Sequence, residues 1–143
     1  MTAFYLRRFF LIFFLIVLSC SKYEDEVQYK LKAYEISVDS SDGGAVSYEG
    51  GSLEAGNDRN GQVSGNDPGI TINLGDTLTF NVSAQGHPFY LKTQASTGTG
   101  NQVNGATNQG TQNGTVTWTP TSAGTYYYIC SLHGSMVGTI TVN

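Results

Sequence analysis

Toward its C-terminus the chain reads Gly124-Thr-Tyr-Tyr-Tyr-Ile-Cys130-Ser-Leu-His133-Gly-Ser-Met136-Val137-Gly-Thr-Ile-Thr-Val142. The residues before Cys130 are aromatic and β-branched, and those after Met136 alternate, so both flanks read as strands. A period of two puts Tyr126, Tyr128 and Cys130 on one face and Tyr127 and Ile129 on the other. Cys130 therefore ends an aromatic-packed strand at the edge of a core, where its thiol is shielded from oxidants. The loop between the strands gathers a thiol, an imidazole and a thioether within seven residues.

Outward from this unit the same punctuation recurs. Strands are expected at residues 31–38, 45–48, 69–74, 77–83, 88–93, 115–119, 124–129 and 137–142, with no helical periodicity after the leader. Gly75-Asp76 between two alternating runs signals a tight hairpin turn, and Pro120 closes a strand because it cannot donate to a ladder. Residues 50–68, rich in Gly, Asn and Asp, and residues 95–114, rich in Thr, Gly, Asn and Gln, are expected to be loops outside the core. Eight short strands imply an all-β fold, an eight-stranded antiparallel Greek-key β-sandwich. Phe80, Val82, Phe89, Leu91, Trp118, Tyr126 and Tyr128 would fill its core.

The N-terminus is of another kind. Arg7-Arg8 precedes an apolar run at 9–18, too short for the roughly 20 residues of a spanning helix, which reads as a signal peptide over 1–19. Val17-Leu-Ser-Cys20 resembles a bacterial lipobox, with Val where Leu is commoner, so Cys20 is the expected lipidation site. A plain signal peptide cut elsewhere and an uncleaved anchor are the alternatives. Two acyl chains suffice for stable anchoring, since each buried CH₂ contributes about 0.8 kcal/mol. Residues 20–30 then form a charged tether and 31–143 a single domain. Ser21-Lys-Tyr-Glu-Asp-Glu26 resembles the acidic export tags of surface lipoproteins in some Gram-negative bacteria, although a charged linker has the same composition. The expected location is the cell envelope, anchored to a membrane at the periplasmic face or the outer-membrane surface.

Charge narrows the partners. Seven basic and eleven acidic residues leave a net charge of −4, which argues against nucleic acid. No Asp, Glu, Lys or Arg follows Lys92, so the end of the domain carrying Cys130 should present an uncharged face.

With Cys20 lipidated, Cys130 has no cysteine partner; a Cys20–Cys130 disulfide is the formal alternative. A lone thiol in an oxidising compartment, with His133 and Met136 beside it, reads as a metal ligand. Soft sulfur, imidazole nitrogen and a weak axial sulfur suit copper cycling between Cu(I) and Cu(II). The chain has two histidines, and His87 is the second. Taken singly, His87 beside Pro88 would be a turn residue, Met136 packing and His133 a loop tip. Together they read as one type 1 copper site.

His87, followed 43 positions later by Cys130-x-x-His133-x-x-Met136, resembles the cupredoxin family of small blue copper proteins, its plastocyanin- and amicyanin-like members. The short gap to Met136 is most similar to the amicyanin type, and the resemblance covers residues 69–142. It implies that His87, Cys130 and His133 form a trigonal plane around copper, with Met136 as a long axial ligand that tunes the potential. His133 would be the electron's route to a partner. Two positions depart from the family pattern. Pro88 stands where Asn is common and removes an N–H aimed at the sulfur. Leu132 stands where several members have Pro and supplies an N–H near the same sulfur. In addition, Ile129 stands where plastocyanin has a surface tyrosine, and no acidic patch is evident beside it, so a remote acidic docking site is not expected.

The function this supports is single-electron shuttling between a redox-protein donor and acceptor by a monomer, docking through an uncharged patch of Pro88, Leu132, Gly134 and Ser135. A copper-binding or copper-delivery lipoprotein uses the same ligands, but the Met- or His-rich tracts of that role are missing. A structural surface β-sandwich is the third reading. No catalytic site is expected. Both histidines are used, Ser131 and His133 are too close along one turn for a nucleophile–base pair, and no carboxylate follows Asp76.

Overall fold

The computed structural model describes residues 30–39, 56–63 and 65–143. The leader, Cys20, the tether up to residue 29 and the strand expected at 45–48 lie outside the described residues.

Nine strands and no helix occur among the described residues: β1 (Ala33–Asp39), β2 (Asn57–Asp58), β3 (Gly61–Gln62), β4 (Ile70–Ile72), β5 (Thr77–Ser83), β6 (Phe89–Lys92), β7 (Asn113–Trp118), β8 (Gly124–Cys130) and β9 (Val137–Val142). One sheet has the order β1-β5-β7, a second β4-β9-β8-β6, and β2-β3 is a minimal hairpin. Alternation sends one face of each strand inward, as period-two geometry requires. Ile36 and Val38 of β1, Leu78, Phe80 and Val82 of β5, and Ile140 and Val142 of β9 are all buried. The Phe80 ring lies 4.8 Å from Phe89 and 5.9 Å from Tyr128, so one aromatic cluster joins the two sheets.

The pairing is mixed rather than antiparallel throughout, since β1 runs parallel to β5 and β4 parallel to β9. The difference shows at Gly75-Asp76. A turn does form there, with the Asp76 N–H donating to Asn73 O at 3.0 Å and Gly75 at φ 83°, but β4 and β5 enter different sheets. It is a crossover between layers, not a hairpin. Alternating flanks fit either outcome; the strands that capture β4 and β5 decide it.

The two expected loops do more than connect. Residues 101–110 cover the open edge of β6: Val103 N–H donates to Leu91 O at 3.0 Å, Gly110 N–H to Phe89 O at 2.7 Å, and Gln109 Oε1 accepts from Leu91 N–H at 2.8 Å. Val103 is buried in the core, and Trp118 Nε1 donates to Asn104 O at 3.1 Å. In the other loop, Val63 is a core residue and Asp58 is buried, accepting from the N–H groups of Asn60 and Thr71. Hydrogen bonds supply the order that apolar content alone does not.

A buried ion pair anchors one pole. At the start of β5 the buried Asp76 carboxylate meets Arg59 through Nε at 2.8 Å and Nη2 at 2.5 Å, and also accepts from Lys32 and Asn73 N–H. Burial alone would raise this carboxyl. The Arg59 and backbone donors outweigh it and hold Asp76 below the usual carboxylate range. His87 follows the far end of β5, so the ion pair and the candidate metal centre sit at opposite ends of that strand.

Candidate metal centre

Strand register builds the site. Phe89 pairs with Cys130 across β6 and β8, and Ile129 pairs with Val137 across β8 and β9. His87 lies two positions before Phe89, so the ladder delivers it beside Cys130. The turn before it is set by Gly86 at φ 85°, with His87 N–H donating to Ala84 O at 2.9 Å. Glycine adopts that backbone without a Cβ penalty.

The ligand loop is held from several sides. Cys130 N–H donates to Met136 O at 3.0 Å and Met136 N–H to His133 O at 3.1 Å, which closes the loop on itself. Ser131 N–H donates to Pro88 O at 3.0 Å, joining the loop to the His87 turn. Leu132 N–H points at Cys130 Sγ from 3.4 Å, the donor that proline at 132 would lack.

Three ligand-type atoms converge. His87 Nδ1 and His133 Nδ1 are 3.1 Å apart, and Cys130 Sγ is 3.9 Å from the first and 3.5 Å from the second. The point equidistant from all three therefore lies about 2 Å from each, close to the ~2.0–2.1 Å and ~2.3 Å that imidazole nitrogen and thiolate take to a first-row metal such as zinc. The group is the one cluster of three or more His, Cys, Asp or Glu that could hold a metal among the described residues. An N₂S trio with no carboxylate fits copper better than magnesium or calcium, which take oxygen.

Burial is graded across the trio: Cys130 is fully buried, His87 half-buried and His133 exposed. Met136 is buried at 4 % exposure at the base of the loop. Leu132 is 64 % exposed, and Gly134 and Ser135 are exposed with it. Ile129, expected to face outward, is buried. Asp67 lies three positions before β4; its burial raises that carboxyl, and the neighbouring Val137 N–H opposes the rise.

One participant has no signature in the sequence. Lys92 is fully buried, and its ammonium donates to Ser96 O at 2.7 Å, Gly98 O at 2.5 Å and Thr97 O at 3.4 Å. A lysine that ends a strand ordinarily points to water, so only the tertiary structure reveals this one.

Residues 53–143 match the family described as copper binding proteins, plastocyanin/azurin family. No curated protein sequence matches. Among solved structures, a rusticyanin variant is 20 % identical, with 80 % of each chain covered and a TM-score of 0.50. A rusticyanin from Thiobacillus ferrooxidans is 22 % identical over 80 % of each chain, with a TM-score of 0.47. A purple cupredoxin from Nitrosopumilus maritimus is 20 % identical over 77 % of this chain and 99 % of its own, with a TM-score of 0.45. The chain belongs to the plastocyanin/azurin family of copper-binding proteins, the cupredoxins, and is a copper electron-transfer protein of that general kind.

Proposed function

We propose that the protein is a type 1 copper electron carrier of the cell envelope, in which His87, Cys130, His133 and Met136 would hold the copper. The observation that carries this reading is the convergence of His87 Nδ1, Cys130 Sγ and His133 Nδ1 on one point. Copper held there supplies a one-electron Cu(II)/Cu(I) couple. Cys130 keeps the thiolate dry at the core's edge, and Leu132 N–H stabilises its negative charge. His133, exposed, is the contact through which an electron leaves or enters.

The partners are a donor and an acceptor redox protein, met one at a time by a monomer. The surround of Pro88, Leu132, Gly134 and Ser135 has no charged side chain and suits brief, weak encounters over a small area. Cys20, acylated, tethers the domain to a membrane through residues 21–30. No catalytic role is assigned.

The test is the absorption spectrum of the chain from Lys22 onward after addition of Cu(II). An intense thiolate-to-copper band that ascorbate bleaches and air restores is expected, and it should be absent from Cys130→Ala. A blue Cys130→Ala protein would refute the ligand set. A folded, colourless parent would point to copper handling or a structural role instead.

A further inference from the structure

Lys92 is the last charged residue in the chain, and the structure buries it completely at the end of β6. No carboxylate is among its partners; it takes three consecutive backbone carbonyls, Ser96, Thr97 and Gly98. Those carbonyls belong to the 93–99 loop, which returns to β6 where Thr93 N–H meets Asn101 O at 2.8 Å. The loop has no large apolar side chain to fill its interior, so without the ammonium its inward carbonyls would lack a partner, a costly state for buried polar groups. The same loop reaches the ligand loop. Gly98 N–H donates to Ser131 O at 2.7 Å, and a Cβ at Gly134 would lie 3.4 Å from Thr97 Cγ2. Thr97 and Gly98 are exposed beside the exposed Leu132, His133 and Gly134.

We propose that Lys92 is a positioning residue for the copper pole: by holding the carbonyls of Ser96, Thr97 and Gly98 it fixes the 93–99 loop against the ligand loop and makes that loop one wall of the face on which a redox partner docks. The proposal rests on the electron-carrier reading for its docking part and on geometry alone for its positioning part. The hydroxyl and backbone groups at 97–99 extend the uncharged patch without adding a charge, and they favour a partner whose own face is uncharged.

Two variants of the whole chain test it. Lys92→Met removes the ammonium and keeps an apolar stem. Gly98→Ala leaves Lys92 in place but strains a backbone at φ 77° in open space, so it loosens the loop with no change of charge and no clash. In copper-free protein, Lys92→Met should speed hydrogen exchange of the Gly98 amide at least tenfold while the Phe80 and Ile140 amides keep their protection. In the copper form, electron self-exchange between two copies should fall at least threefold in both variants, with the blue band retained. Unchanged exchange at Gly98 would overturn the positioning role, and self-exchange within twofold of the parent in both variants would overturn the docking role. If Lys92→Met does not fold, Gly98→Ala decides: acylation of the Lys92 amine, read by mass spectrometry, should rise at least fivefold, and an unchanged rate overturns the proposal. A parent without a blue band would sink the electron-carrier reading but leave the exchange and acylation results to decide the positioning role.

Discussion

At the scale of single residues, the centre is defined by what each position removes or supplies. Pro88 has no N–H, while Leu132 places one 3.4 Å from Cys130 Sγ. A donor to that sulfur stabilises thiolate charge and thereby favours Cu(I). Leu132→Pro should lower the reduction potential, by at most about 59 mV for one electron, a tenfold change in the redox equilibrium. Leu132→Ala keeps the N–H and should leave the potential in place; equal shifts in both variants by voltammetry would exclude the hydrogen bond as the cause. Met136, buried in the same loop, should act in the other sense. Met136→Leu keeps the volume and removes the proposed thioether ligand, so the blue band should survive and the potential should rise. A fall would mean that the Met136 sulfur is not a ligand.

At the scale of elements, β8 and β9 carry the site because their pairing is uninterrupted from Gly124↔Val142 to Ile129↔Val137. Gly138 lies opposite Tyr128 in that ladder, and a Cβ there would overlap the Tyr128 ring. The Tyr128 hydroxyl is anchored to Pro68 O at 2.6 Å, so the ring has little freedom to retreat. Gly138→Ala should destabilise the fold by about 1–3 kcal/mol, the usual range for overpacking, and broaden the copper spectrum by shifting β9 under the ligand loop. Denaturant unfolding with an unchanged midpoint would show that the ring relocates freely. Parts of this architecture were legible in the chain. Residues 77–83 and 137–142 form strands over the limits that alternation indicates. The edge-covering role of 101–110 was not legible, because backbone hydrogen bonds to β6 leave no mark on side-chain pattern.

At the scale of the molecule, two poles behave differently. The charged pole depends on pH. Asp76 has its carboxyl held below the ordinary value, so its contribution to stability is fully present above the unfolded value near 3.9 and is lost as pH falls through the folded one. Asp76→Asn should lower stability at neutral pH and flatten the loss of stability below about pH 4; parallel curves for both proteins would assign the acid transition elsewhere. The copper pole should be nearly indifferent to salt. With no charged side chain among Pro88, Leu132, Gly134 and Ser135, its self-exchange rate should vary less than the 10- to 10³-fold range seen with electrostatic steering. A steep dependence across the ionic strengths that contract the Debye length from about 30 to 3 Å would reveal a charged docking surface.

The chain's composition and order indicate the candidate ligands of the centre and the all-β class that the fold has, for a physical reason. Strand alternation and a seven-residue loop are local, and Cys130, His133 and Met136 need no distant partner to be read as ligands. His87 could be paired with them because the chain holds no other imidazole to compete. Folding alone decided the rest. Whether Gly75-Asp76 joins one sheet or two depends on β1 and β9, both remote in sequence. The 3.1 Å approach of the two imidazoles depends on the β6–β8 register. The burial of Lys92 depends on a loop that has no core of its own until the ammonium supplies one. Long-range contacts of that kind are set by which surfaces find each other, and no local pattern records them.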